Sequence, residues 1–83
     1  MSREQLSKRK WLAELLCMHG EIVFNTHSYT VFLQESGSGF DYSLYKLGAK
    51  PDENGEFNEE KLIDGGVIEE VDYLNAISHM FEI

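Results

Sequence analysis

Apolar residues recur at helical spacing over the first twenty positions and at alternating spacing over the next thirty. The change of period organises the chain, because side chains share a helix face every 3.6 residues and a strand face every two. Leu12, Leu15, Leu16 and His19 fall on one helical face, with Trp11 and Met18 beside them. Ser2 and Gln5 have the spacing of a capping box, and Gly20 stands where a left-handed cap closes a helix. Three strands follow: EIVFN at 21–25, YTVFLQE at 29–35 and FDYSLYKL at 40–47. The first two are separated by Thr26-His27-Ser28, and the third is preceded by the turn signal Ser36-Gly37-Ser38-Gly39.

Within the third strand Phe40, Tyr42 and Leu44 share one face, and Asp41, Ser43 and Tyr45 the other. In the second, Tyr29, Val31 and Leu33 alternate with Thr30, Phe32 and Gln34. Both sheet faces are thus partly apolar, and alternation alone does not tell which of them the helices cover. Residues 48–64 form a polar connection holding the only proline, Pro51, with room for one helical turn at EEKL. Asp64-Gly65-Gly66 reads as a sharp turn, and VIEE at 67–70 as a short fourth strand. The last segment, 72–82, is helical: Asp72 is its cap, Leu74, Ile77 and Phe81 its buried stripe, and Val71 a residue placed to staple its first turn. The expected fold is α+β, a three- to four-stranded antiparallel sheet flanked by N-terminal and C-terminal helices. Its order is α-β-β-β-(β)-α, with both helices on one face and residues 1–83 forming a single domain.

A chain of 83 residues buries only about 60–65% of its extended surface, which leaves little room for an internal catalytic cavity. A hydrophobic content of 42% nonetheless supports a packed core rather than a disordered tail. No apolar run approaches the roughly 20 residues that span a bilayer, and the charged N-terminus lacks the apolar core of a secretory signal. The lone Cys17 cannot form an internal disulfide, as suits a reducing cytoplasm, here that of a host cell.

Charge alters the picture more. The formal net charge is −8, unevenly spread. Residues 1–10 set Arg3, Lys8, Arg9 and Lys10 against Glu4 alone, whereas residues 52–83 hold ten acids and a single base, Lys61. The basic cluster lies in the first half of the first helix, against the helix macrodipole; it is either a solvated helix face or a set of contact residues. A field of the opposite, acidic sign over the rest of the chain repels nucleic acid and steers basic surfaces inward.

Candidate chemistry is sparse. DENGEFNEEK, 52–61, has the residue types of a calcium loop. Placing Gly55 at the invariant glycine, however, puts Lys50 and Lys61 at the two principal carboxylate positions, and starting at Asp52 puts Phe57 where glycine belongs. His19, His27, His79 and Cys17 lack metal-ligand spacing, so no metal or cofactor is expected. Cys17 on an apolar helix would have a raised thiol pKa, and the carboxylate pairs Glu59/Glu60 and Glu69/Glu70 show no sign of burial. Neither glycine pair runs from strand to helix with a lysine, as a phosphate loop must. An enzyme is not expected. The element order matches double-stranded RNA-binding domains, but Glu69, Glu70 and Asp72 stand where those domains place phosphate-gripping lysines.

The stretch FDYSLYKLGAK, with EKLIDGGVIEE and YLNAISHM, resembles small domains of phage, plasmid and conjugative-element proteins, including the YodL-like and large-polyvalent-protein-associated domains. Asp41-Tyr42, Tyr45, Asp64-Gly65-Gly66 and Ala76-Ile77 carry the resemblance, which covers residues 40–80. It implies a mobile-element origin and brings no catalytic residues. Small acidic proteins of such elements include anti-CRISPR and other anti-defence inhibitors. The expected function is therefore a non-enzymatic inhibitor that binds the basic surface of a nucleic-acid-binding protein, in its most specific form a CRISPR-Cas effector such as Cas9. Glu53, Glu56, Glu59, Glu60, Glu69, Glu70 and Asp72 are the expected phosphate mimics, with Tyr42 and Tyr45 as anchors. The alternatives are a self-associating module, seen as a homodimer, and a weak nucleic-acid binder acting through the basic N-terminal helix.

Overall fold

A computed structural model describes residues 3–83, with side chains from Leu6 onward; the Ser2–Gln5 capping box falls outside the described residues. Helix α1 runs Arg3–His19, followed by β1 (Glu21–Asn25), β2 (Tyr29–Ser36) and β3 (Gly39–Lys46). A single 3-10 turn (Glu59–Lys61) leads into β4 (Leu62–Ile68), and α2 (Tyr73–Glu82) closes the chain. The four strands form one antiparallel sheet in the order β1-β2-β3-β4, so the expected α+β architecture holds with the fourth strand present.

Both helices lie on one sheet face, and register identifies it. Ile22 pairs with Leu33 and Leu33 with Tyr42, while Phe24 pairs with Val31 and Val31 with Leu44. Directly paired residues share a face, so these rows form the floor of the core. Leu12, Ala13 and Leu16 of α1 and Ala76, Ile77 and Met80 of α2 close it from above. Burying each large apolar side chain contributes about 1.5–3 kcal/mol, so this shared layer fixes both helices on the sheet. Helix α2 crosses that face diagonally: Tyr73 meets Phe40 of β3 edge-on at 5.2 Å, and Phe81 stacks on Phe24 of β1 at 5.3 Å. The helical stripe of α1 differs at its end from the expected one. Leu12 and Leu16 are buried and Leu15 half-buried, but His19 is exposed, as are Trp11 and Met18 beside the stripe. The helix stops at Gly20 as expected: its positive φ of 78° lets its N–H reach the Leu16 carbonyl at 2.7 Å and turns the chain into β1.

The connection after β3 covers part of the opposite face. Thr30 is buried there; its hydroxyl donates to Asn25 Oδ1 at 2.6 Å and accepts the Gly48 N–H at 2.9 Å, which pins the start of the connection. Further on, Phe57 stacks on Tyr45 at 4.5 Å and meets Phe32 edge-on at 5.8 Å. Between these anchors Asp52 accepts the N–H groups of Asn54 and Glu56 with one carboxylate oxygen, so the DENGE stretch is a self-closed turn.

Two local expectations need correction. Asp64-Gly65-Gly66 is not a turn, and the fourth strand is not confined to 67–70. Asp64 pairs with Leu44, Gly65 with Ser43 and Gly66 with Tyr42, inside β4. The glycines answer to close approach: a Cβ at Gly66 would stand 3.0 Å from the Tyr42 hydroxyl, and one at Gly65 3.2 Å from the Tyr42 carbonyl oxygen. Val71 does not staple α2, since it is 84% exposed. The Asp72 cap is as expected, its carboxylate accepting from Leu74 and Asn75 at 2.9 and 3.1 Å.

Candidate partner-binding edge

Strand β4 stands apart from its neighbours. Leu62–Val67 are all exposed and Ile68 is half-buried, although a strand flanked by a folded core normally buries alternate residues. Among the described residues the sheet order leaves β4 with β3 as its only strand partner, so one edge of its backbone faces outward. A bulge between Leu44 and Tyr45 leaves Ile63 without an opposite residue, and from Asp64 to Ile68 the pairing is regular.

The acids gather along this edge. Glu59 and Glu60 precede β4 in the 3-10 turn, Asp64 lies within it, and Glu69 and Glu70 follow it. Six strand steps at about 3.3 Å separate the two ends by about 20 Å. Asp64 lies within that length, and the two acid pairs flank it at either end. Beyond β4, Glu69, Glu70 and Glu82 line a depression of about 280 Å³ together with Ile68, Asn75 and His79. Asp64 and Glu82 were not among the residues expected from sequence. The Asp-Gly-Gly triplet disguised Asp64 as a turn residue, and only the approach of α2 to the end of β4 brings Glu82 in.

The other expected residues divide. Glu53 and Glu56 are exposed on the connection that crosses the second face, away from the β4 array in sequence but on the same acidic segment. Glu70 accepts the Val71 and Asp72 N–H groups with one oxygen, and Asp72 caps α2, so both acids also hold backbone. Tyr42 and Tyr45 do not meet. Three residues apart on β3, they project from opposite faces: Tyr42 packs against the core and over Gly66, while Tyr45 is stacked under Phe57.

Two members of the basic cluster sit at the end of α2. Lys8 and Arg9 lie over the Phe81 ring, 5.7 and 5.0 Å from its centroid, beside Asn25, Thr26 and His27 of the β1–β2 hairpin. Phe81 is in the last turn of α2, where the helix macrodipole is negative, so cations misplaced on α1 are well placed for its neighbour. Among the described residues Tyr73 is the one titratable group clearly shifted. Its hydroxyl donates to the Glu35 carboxylate, and that bond with the adjacent charge pushes its pKa up to about 12.

Among the described residues, no helix is long and apolar enough to cross a membrane, and no three His, Cys, Asp or Glu side chains gather as a metal-holding group. Compared with protein-family models, with curated proteins and with solved structures, the chain matches none.

Proposed function

We propose that the chain is a non-enzymatic acidic inhibitor that occupies the basic nucleic-acid-binding surface of a protein partner in the host cytoplasm. The observation that carries this reading is the acidic array along β4: Asp64 within the strand and the pairs Glu59/Glu60 and Glu69/Glu70 at its two ends, on a strand exposed on both sides. Phosphate-binding grooves are lined by lysines and arginines, and a protein lying in such a groove excludes the nucleic acid by occupancy. The resemblance to mobile-element domains favours a defence nuclease as the partner, a CRISPR-Cas effector such as Cas9 being the most specific form. That resemblance rests on short motifs, one of which, Asp64-Gly65-Gly66, lies in a strand rather than a turn.

The test is duplex cleavage by guide-loaded Cas9, and by other nucleic-acid-binding nucleases, with the chain added at two salt concentrations. Inhibition that weakens with salt, and that is lost in the charge reversals E59K/E60K and E69K/E70K while circular dichroism stays native, is the expected outcome. Undiminished inhibition by both reversals refutes phosphate mimicry.

A further inference from the structure

We infer that the outer edge of β4 is a strand-addition site for a basic, extended segment of the protein partner. This rests on the proposed function and specifies how the acidic edge is recognised. The segment pairs backbone to backbone with Asp64–Ile68, while its lysines or arginines meet Glu59 and Glu60 at one end and Glu69, Glu70 and Glu82 at the other.

The backbone supplies the first half of the argument. Among the described residues only β3 pairs with β4, so alternate N–H and C=O groups of the regular stretch after the bulge point away from the sheet. Exposure throughout Leu62–Val67 leaves room for another strand on that side. Added strands draw affinity from such main-chain bonds and specificity from alternate side chains.

Side chains supply the second half. Asp64, Gly66 and Ile68 project to the helix side of the sheet, and Gly65 and Val67 to the other, because paired residues share a face and Leu44, Tyr42 and Phe40 define the helix side. A strand that alternates cationic and β-branched residues therefore sets a cation beside Asp64 and an apolar group beside the exposed Val67. The depression lined by Glu69, Glu70 and Glu82 receives a further cation at the strand end.

The same charges argue against a second copy of this chain. Antiparallel β4–β4 pairing sets Glu59 and Glu60 of one copy against Glu69 and Glu70 of the other, and parallel pairing sets each pair against itself. Like charges directly opposite destabilise a ladder, and Lys61 is the only base between residues 52 and 83 to relieve them.

Two ten-residue probe peptides of equal charge separate strand addition from plain charge attraction. One alternates lysine with valine; in the other every valine is proline, which cannot donate to a ladder. Titrated into the isotopically labelled full chain, the valine peptide should bind at least about tenfold more tightly and slow amide exchange within residues 63–68. Equal affinities overturn strand addition and leave the acidic-surface reading standing. Failure of both peptides to bind overturns the two together. Concentration-dependent protection of residues 63–68 without peptide assigns the edge to a second copy and also overturns the inference.

Discussion

Asp72 serves as both a cap and a candidate phosphate mimic, and two substitutions separate the roles. Its carboxylate accepts the Leu74 and Asn75 N–H groups at 2.9 and 3.1 Å, satisfying two of the four donors left open at the start of α2. Asp72→Ala removes the carboxylate oxygen that accepts both bonds, at about 1 kcal/mol, and the charge at the positive end of the helix, at a further ~0.3–0.5 kcal/mol for so exposed a site. Asp72→Asn keeps an acceptor oxygen, loses the charge alone, and should cost no more than about 0.5 kcal/mol. Because α2 seats the buried Ala76, Ile77 and Met80, fraying at its start is felt by the core. For a domain of this size about 1 kcal/mol shifts the melting temperature by roughly 4–8 °C, so the alanine variant should melt about 5–12 °C lower and the asparagine variant within about 4 °C of the parent. Thermal unfolding followed by circular dichroism reads both. Equal losses in the two variants would refute the hydrogen-bonded cap as the main contribution. As a phosphate mimic, by contrast, Asp72 should lose partner affinity equally in both variants, since each removes the charge.

Three further outcomes follow from the packing. Phe57→Ala, which removes the half-buried ring between Tyr45 and Phe32, should lower stability by about 2 kcal/mol in urea titration; a change below about 0.5 kcal/mol would show that the connection is not tied to the second face. Gly39→Ala places a Cβ 2.1 Å from the Ile68 carbonyl oxygen, so the end of β4 must shift by about 1 Å, at about 1–3 kcal/mol, whereas Gly37→Ala meets open space and should be near neutral. Equal effects would contradict the β3–β4 register. Tyr73 should titrate near 12 rather than at its ordinary 10.0, read by tyrosinate absorbance. Its folded pKa is raised, so its stabilisation is fully present below pH 10 and is lost as pH climbs toward 12; Tyr73→Phe should remove that alkaline slope.

Much of the fold was legible because it depends on local periodicity. The three hairpin strands, the Gly20 stop and the Asp72 cap each follow from side-chain spacing or a single backbone requirement, and all appear where sequence places them. The fourth strand was half hidden. Its glycines read as turn residues because turn chemistry is local, whereas the Tyr42 ring that crowds Gly66 comes from another strand. The candidate site divides in the same way. Acidity from residue 52 onward is plain in the sequence, but alignment of Glu59, Glu60, Asp64, Glu69 and Glu70 along one open edge depends on β4 extending through Asp64-Gly65-Gly66.

The sequence by itself determined the α+β class, the element order and the separation of a basic start from an acidic remainder, because periodicity, caps and composition are properties of neighbours along the chain. Only the tertiary structure decided which sheet face the helices cover, that Phe57 folds over the other, that Lys8 and Arg9 settle on Phe81 at the end of α2, and that Tyr42 packs on the core while Tyr45 lies under Phe57. Both faces were apolar enough to be covered. The choice fell to how the rows from β1, β2 and β3 meet the stripes of two helices far apart in sequence, and such packing is settled only when all of those surfaces come together.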